Sequence, residues 1–179
     1  MKKLVLFGAA LAFAAVSTVR AAEEPAKKPA THRTMAAGEP MVSAAPDDMK
    51  WGDAPPVLPA GAKLAVVEGN PMKAGGYYTV RLHLPDGYKI MPHWHPVTEH
   101  ITVLSGSFNI GMGDKMDESA AKPLPAGGYT MMPAKMHHYA VTKGDTTIQI
   151  SGGGPFALTY VNPADDPSGM QGKKKTAAK

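Results

Sequence analysis

The sequence predicts an all-β fold, a sandwich or a barrel, carried by the middle of the chain. Three observations point there. Nine short runs rich in apolar residues follow one another between Lys63 and Val161. Turn formers separate them: Gly69-Asn70-Pro71, Pro85-Asp86-Gly87, Ser105-Gly106, Lys143-Gly144-Asp145 and Gly152-Gly153-Gly154. Such residues end or reverse a strand through their backbone preferences. Only Asp114 to Ala121 has a helical texture, and glycine (19) with proline (17) suits turn-rich β architecture.

In chain order, residues 1–21 read as an export signal. Lys2 and Lys3 form a positive start, Leu4 to Val16 an apolar stretch, and Val19-Arg20-Ala21 a cleavage site after Ala21. That stretch is too short for a membrane span, which needs about 20 residues. The mature protein is therefore expected in the periplasm or outside the cell, with no membrane attachment after cleavage. Residues 22–46 are rich in Ala, Pro, Lys and Glu without periodicity, the composition of a disordered linker. Residues 47–166 form the single expected domain, and 167–179 a disordered basic tail.

Within the domain, strands are predicted over Lys63–Glu68, Tyr77–Leu84, Lys89–His95, Glu99–Leu104, Ser107–Met112, Tyr129–Met132, His137–Thr142, Thr146–Ser151 and Phe156–Val161. Alternation along the second places Tyr78, Val80, Leu82 and Leu84 on a core face, with Tyr77, Thr79, Arg81 and His83 opposite.

Charge and cysteine content exclude several functions. The chain carries +4 overall, but residues 47–166 hold nine basic and twelve acidic side chains, so the excess lies in the termini. A nucleic-acid surface needs its positive charge on the folded face, so no nucleic-acid partner is expected. With no cysteine there is no disulfide, zinc–thiolate site, lipoprotein anchor or cysteine nucleophile.

The chemistry concentrates in Gly87–Gly106. His93 and His95 are two apart, so on an extended strand they share a face, and Glu99, Ile101 and Val103 keep that parity. Imidazoles and a carboxylate suit a first-row divalent ion. Three ligands on one strand cannot enclose an ion, so another segment must complete the site; the doublet His137-His138 offers two candidates.

Here the chain resembles the cupin family. Glycine, five residues, His-x-His, three residues, Glu, six residues and glycine form the first cupin motif, and Gly87, His93, His95, Glu99 and Gly106 match throughout. In the second motif Gly127, Pro133 and His138 match, while Lys135 stands for a glycine and Thr142 for an asparagine. The resemblance implies a single-domain jelly-roll barrel, the double-stranded β-helix, over roughly residues 50–162. It further implies that His93, His95, Glu99 and His138 hold one divalent transition metal: Fe, Mn, Ni, Cu or Zn. The motif register selects His138, leaving His137 outward. A glycine position often needs positive φ, so Lys135 leads us to expect a loop that runs differently.

His83 and His100 have the wrong parity for this site and His32 lies in the linker. Met91, Met131, Met132 and Met136 are near the ligands in sequence, though methionine more often fills cores. Trp94 is expected to point away from the metal.

Such a centre keeps open coordination positions, as catalytic sites do. The resemblance implies a mononuclear metalloenzyme acting on a small molecule, a dioxygenase-like oxidoreductase or a lyase, with Glu99 doubling as catalytic proton acceptor. The alternative is a non-catalytic periplasmic sensor that binds metal or ligand. Cupins often pair, so a homodimer is the family expectation.

Overall fold

The structure, a computed structural model, describes residues 41–169. The export signal, most of the linker and the tail from residue 170 lie outside the described residues. Eight strands form: β1 (Gly52–Asp53), β2 (Lys63–Gly69), β3 (Tyr77–Leu84), β4 (Lys89–Trp94), β5 (Glu99–Met112), β6 (Tyr129–Met132), β7 (His138–Gly153) and β8 (Thr159–Tyr160). All pair antiparallel, in the order β1-β2-β3-β7-β4-β8, with β5 beside β7 and β6 on its other edge.

The curl that makes a jelly-roll barrel comes from β5 and β7. Each was expected as two strands, because Ser105-Gly106 and Lys143-Gly144-Asp145 look like turns. Instead each is one long strand bent in the middle, with ladder shifts between Val103 and Ser107. The first half of β7 pairs with β4 and the second half with β3, while β5 follows both. At the bend Gly106 has φ 72°, and a Cβ there would stand 2.4 Å from Thr146 Oγ1 and 2.5 Å from Asp145 O. No other residue fits so close an approach in that conformation.

The barrel fills with the face that period-2 alternation picked out. Tyr78, Val80, Leu82 and Leu84 are buried, and they join Ile90, Ile101, Val103, Phe108, Ile148 and Ile150 in one core. Burying a side chain of this kind contributes roughly 1.5–3 kcal/mol. Two connections cover this interior, residues 54–62 and 154–158, and contribute Leu58, Phe156 and Leu158. Tyr88 Oη and Tyr160 Oη donate to Pro59 O and Val57 O, pinning the first connection to the barrel.

Several local expectations change. β1 is a two-residue strand with no apolar run to announce it. Asp114 to Ala121 forms turns, with Ser119 N donating to Asp117 Oδ1, and no helix. Of Phe156–Val161 only Thr159 and Tyr160 pair, against Trp94 and His93. Residues 167–169, assigned to the tail, are helical and Pro167 is buried. No helix among the described residues is long and apolar enough to cross a membrane.

Candidate metal centre

β4 and β7 run antiparallel with His93 directly opposite His138, so two imidazoles from distant parts of the chain meet across one ladder step. Their ring centroids are 4.3 Å apart. His95 lies just beyond the end of β4, its ring nearly perpendicular to that of His93 at 5.0 Å and 5.2 Å from that of His138. One nitrogen from each of the three lies within 4.8 Å of the others.

Glu99 begins a new strand, as the predicted boundaries had it, and is not carried on the His93–His95 strand face as parity suggested. His93, His95 and Glu99 do not share one strand: β4 stops at Trp94, the chain bends through Pro96 and Val97, and Glu99 opens β5 opposite Gly152 and Met132. Its Oε2 is 3.3 Å from His95 Nε2, but it is not one of the tight cluster, which is the three histidines. All four side chains are buried, at 3–6% exposure.

The hydrogen bonds determine which nitrogens are free. Nδ1 of His93 donates to Met91 O at 2.7 Å, that of His95 to Ala157 O at 2.8 Å, and that of His138 to Met136 O at 2.9 Å. A carbonyl only accepts, so each Nδ1 carries the proton and each Nε2 keeps its lone pair. Metal-binding histidines are characteristically oriented through such a bond on the other ring nitrogen. Among the described residues His95 Nε2 is a buried nitrogen without a hydrogen-bond partner; the Glu99 contact has the distance but not the alignment. An orphaned buried acceptor of this kind costs roughly 1–3 kcal/mol, and a divalent cation would satisfy it. The donor set fits such an ion.

Protonation states agree. Burial pushes His93 well below the usual imidazole value, helped by the neighbouring His138 and His95. Burial also lowers His95 and His138. It raises the Glu99 carboxyl from 4.5 to about 7, against the pull of His138. Without metal, then, near neutral pH His95 is largely uncharged and the Glu99 carboxyl is only about half ionised.

The other histidines sit elsewhere. His137, half-buried, pairs with Asp114 at 2.6 Å on the outside. His100 is exposed and its Nδ1 is 2.7 Å from Tyr129 Oη, while His83 contacts Thr147 Oγ1. Lys135 takes the positive φ of 63° expected of a glycine, and its N–H donates to His95 O. Thr142, in the asparagine position, is buried, accepts from Tyr88 N and donates to Pro85 O. Sequence reading missed the carbonyls of Met91, Ala157 and Met136. A backbone acceptor leaves no mark on residue type, although Met91 and Met136 each stand two residues before their histidine.

The cavity bordered by these four side chains measures about 20 Å³. Its other walls are apolar, and among the described residues no acid or base besides Glu99 and the histidines lines it.

A jelly-roll barrel with histidines from facing strands at these motif spacings defines a cupin. Within that class the chain belongs to the ChrR cupin-like domain family, which it matches over residues 39–157. Solved structures share the fold. The polyketide cyclase RemF of Streptomyces resistomycificus superposes with a TM-score of 0.58 at 16% identity, over 74% of this chain and 93% of its own. A candidate acetylacetone dioxygenase of Methylibium petroleiphilum PM1 gives 0.54 at 18%, over 72% and 87%. At such identities the likeness is one of fold. No curated protein sequence matches the chain.

Proposed function

We propose that the protein holds one divalent transition metal through His93, His95 and His138, with Glu99 as the fourth ligand, and works there as a mononuclear metalloenzyme. Its substrate is a small organic molecule and its reaction of the dioxygenase-like oxidoreductase or lyase type. One observation carries the reading: three Nε2 lone pairs converge in an otherwise apolar pocket, and that of His95 is buried without a partner. Bound there, a divalent ion supplies Lewis acidity and open coordination positions. The chain contributes orientation through three backbone carbonyls, apolar walls around the site, and a carboxyl at Glu99 able to take or give a proton. Fold neighbours do not choose the chemistry. In this reading residues 1–21 deliver the protein to the periplasm or beyond.

A second reading, a non-catalytic metal- or ligand-binding module, draws support from the small cavity and its lack of another acid or base. Elemental analysis of protein isolated without added metal, followed by dioxygen uptake with a panel of small diketones, carboxylic acids and catechols, separates the two. One ion per chain with turnover supports the enzyme. One ion without turnover supports the module in its metal-binding form, and no ion removes the metalloenzyme.

A further inference from the structure

A second, larger cavity lies beside β5, separate from the space among the four candidate ligands. The start of β5 is edged by β6, while its second half is edged by residues 122–125, through bridges from Ser107 to Pro125 and from Ile110 to Lys122. Between these two flanks is a cavity of about 570 Å³, open to solvent on one side. Pockets for small organic molecules typically measure roughly 300–1,000 Å³. The ladders fix which face of the sheet lines it. Residues directly opposite on antiparallel strands share a face, with Cβ atoms about 4.5–5.5 Å apart. Of the lining residues, Met132 stands opposite Glu99 and Thr130 opposite Ile101, while Met112 stands opposite His138 and Ile110 opposite Ala140. Two of its walls are therefore the cross-strand neighbours of two candidate ligands, on the same inward face. Met132, 5% exposed, marks the deep end beside Glu99, and Met112, 52% exposed, the rim.

The chemistry of this cavity is apolar with one cation. Lys122 N donates to Ile110 O at 2.8 Å and Ile110 N to Lys122 O at 3.0 Å, so the two are a hydrogen-bonded cross-strand pair. The Lys122 side chain therefore leaves on the same face as Ile110, and it lines the cavity with Leu124 two residues on. Among the described residues no acidic side chain lines this space. The acids nearest in sequence are engaged elsewhere: Glu118 pairs with Lys89, and Asp117 accepts from Ser119. An apolar chamber with an uncompensated ammonium complements an apolar molecule that has one anionic end, and a carboxylate is such an end.

We propose that this cavity binds a small apolar carboxylic acid, its carboxylate on Lys122 and its apolar body along Ile110, Leu124 and Met132 toward Glu99. Binding itself requires no metal. That the bound acid is the substrate rests on the metal reading above, and it narrows the substrate class of that reading to carboxylic acids.

The test is fluorine NMR on the full-length mature protein, with 4-fluorobenzoate and its uncharged counterpart 4-fluorobenzamide as probes. In EDTA, wild type should bind the benzoate about fivefold more tightly than the amide, the scale of one charge-assisted contact discounted for its exposure. Lys122→Met should bind the two equally. With Mn²⁺ in the protein the line of bound 4-fluorobenzoate should broaden strongly relative to Zn²⁺-loaded protein, because the cavity adjoins the centre. Equal binding of the two probes by metal-free wild type overturns the proposal, as does a benzoate preference that survives in Lys122→Met. A wild type that binds neither probe overturns it too, including one whose cavity a second copy covers in a dimer seen by sedimentation. The same line width with Mn²⁺ and Zn²⁺ overturns the substrate role. Failure to take up either ion removes the metal reading and that role with it, while the metal-free comparison still decides the binding. If Lys122→Met does not fold, the wild-type comparison of the two probes decides alone.

Discussion

Replacing Glu99 with glutamine should make the metal-free protein more stable while weakening its hold on metal. Burial raises the Glu99 carboxyl from 4.5 to about 7. A folded-state value above the unfolded one means that the folded protein binds this proton more tightly. The associated stability is complete below 4.5 and is lost as pH rises through 7. At 1.36 kcal/mol per unit, the wild type bears a cost of about 3 kcal/mol at pH 8 and about 1 kcal/mol at pH 5. An amide of nearly the same shape bears no such cost, and its NH₂ can donate to the orphaned His95 Nε2. Urea unfolding in the presence of EDTA reads the difference directly. Glu99→Gln should exceed wild type by about 3 kcal/mol at pH 8, and the gap should narrow by roughly 2 kcal/mol at pH 5. With metal the order should reverse, because the carboxylate then gains a cation. A gap that does not change with pH, or a metal-free variant weaker than wild type at pH 8, would refute the reasoning.

Metal should raise the melting temperature more at pH 8 than at pH 5.5. Glu99 must give up a proton held near 7, while burial lowers the three histidines so that their protons compete less with the metal; thermal unfolding with and without metal reads this, and a uniform rise contradicts it. Lys135→Gly should stabilise by about 1 kcal/mol, because the glycine occupies the left-handed conformation without a Cβ penalty. Gly106→Ala should cost upwards of about 2 kcal/mol through the clash with Thr146 and Asp145. Chemical denaturation of the pair checks both signs. Intact mass of exported protein should place its first residue at Ala22; retention of Met1 would contradict export.

Much of this architecture was legible because strand alternation has a short, rigid period. Tyr78, Val80, Leu82 and Leu84 could be assigned to the core from that period alone. Glycines were harder to read. Gly106 and Gly144 both adopt positive φ, which normally ends a strand, yet here they bend β5 and β7 and the ladder resumes beyond them. Local sequence does not carry that pairing. The neighbourhood of Glu99 was reached by parity along one strand, whereas the actual path is a bend at Pro96 onto a second strand. Motif spacing encodes the bend; parity does not. Lys135, which stands for a glycine in the motif, adopts a glycine-like φ of 63° in the structure. The acceptor at Ala157, 62 residues from His95, and the volume left by Leu58, Phe156 and Leu158 depend on how two connections fold over the barrel. No residue type announces either.

The central claim is the ligand set, and metal content of six histidine variants measured side by side tests it most directly. His93→Ala, His95→Ala and His138→Ala should each lose most of the metal, because each removes one of three converging nitrogens. His83→Ala, His100→Ala and His137→Ala should retain about one ion per chain, because their partners are Thr147, Tyr129 and Asp114 on the outer surface. A site emptied by His137→Ala but filled in His138→Ala would contradict the account.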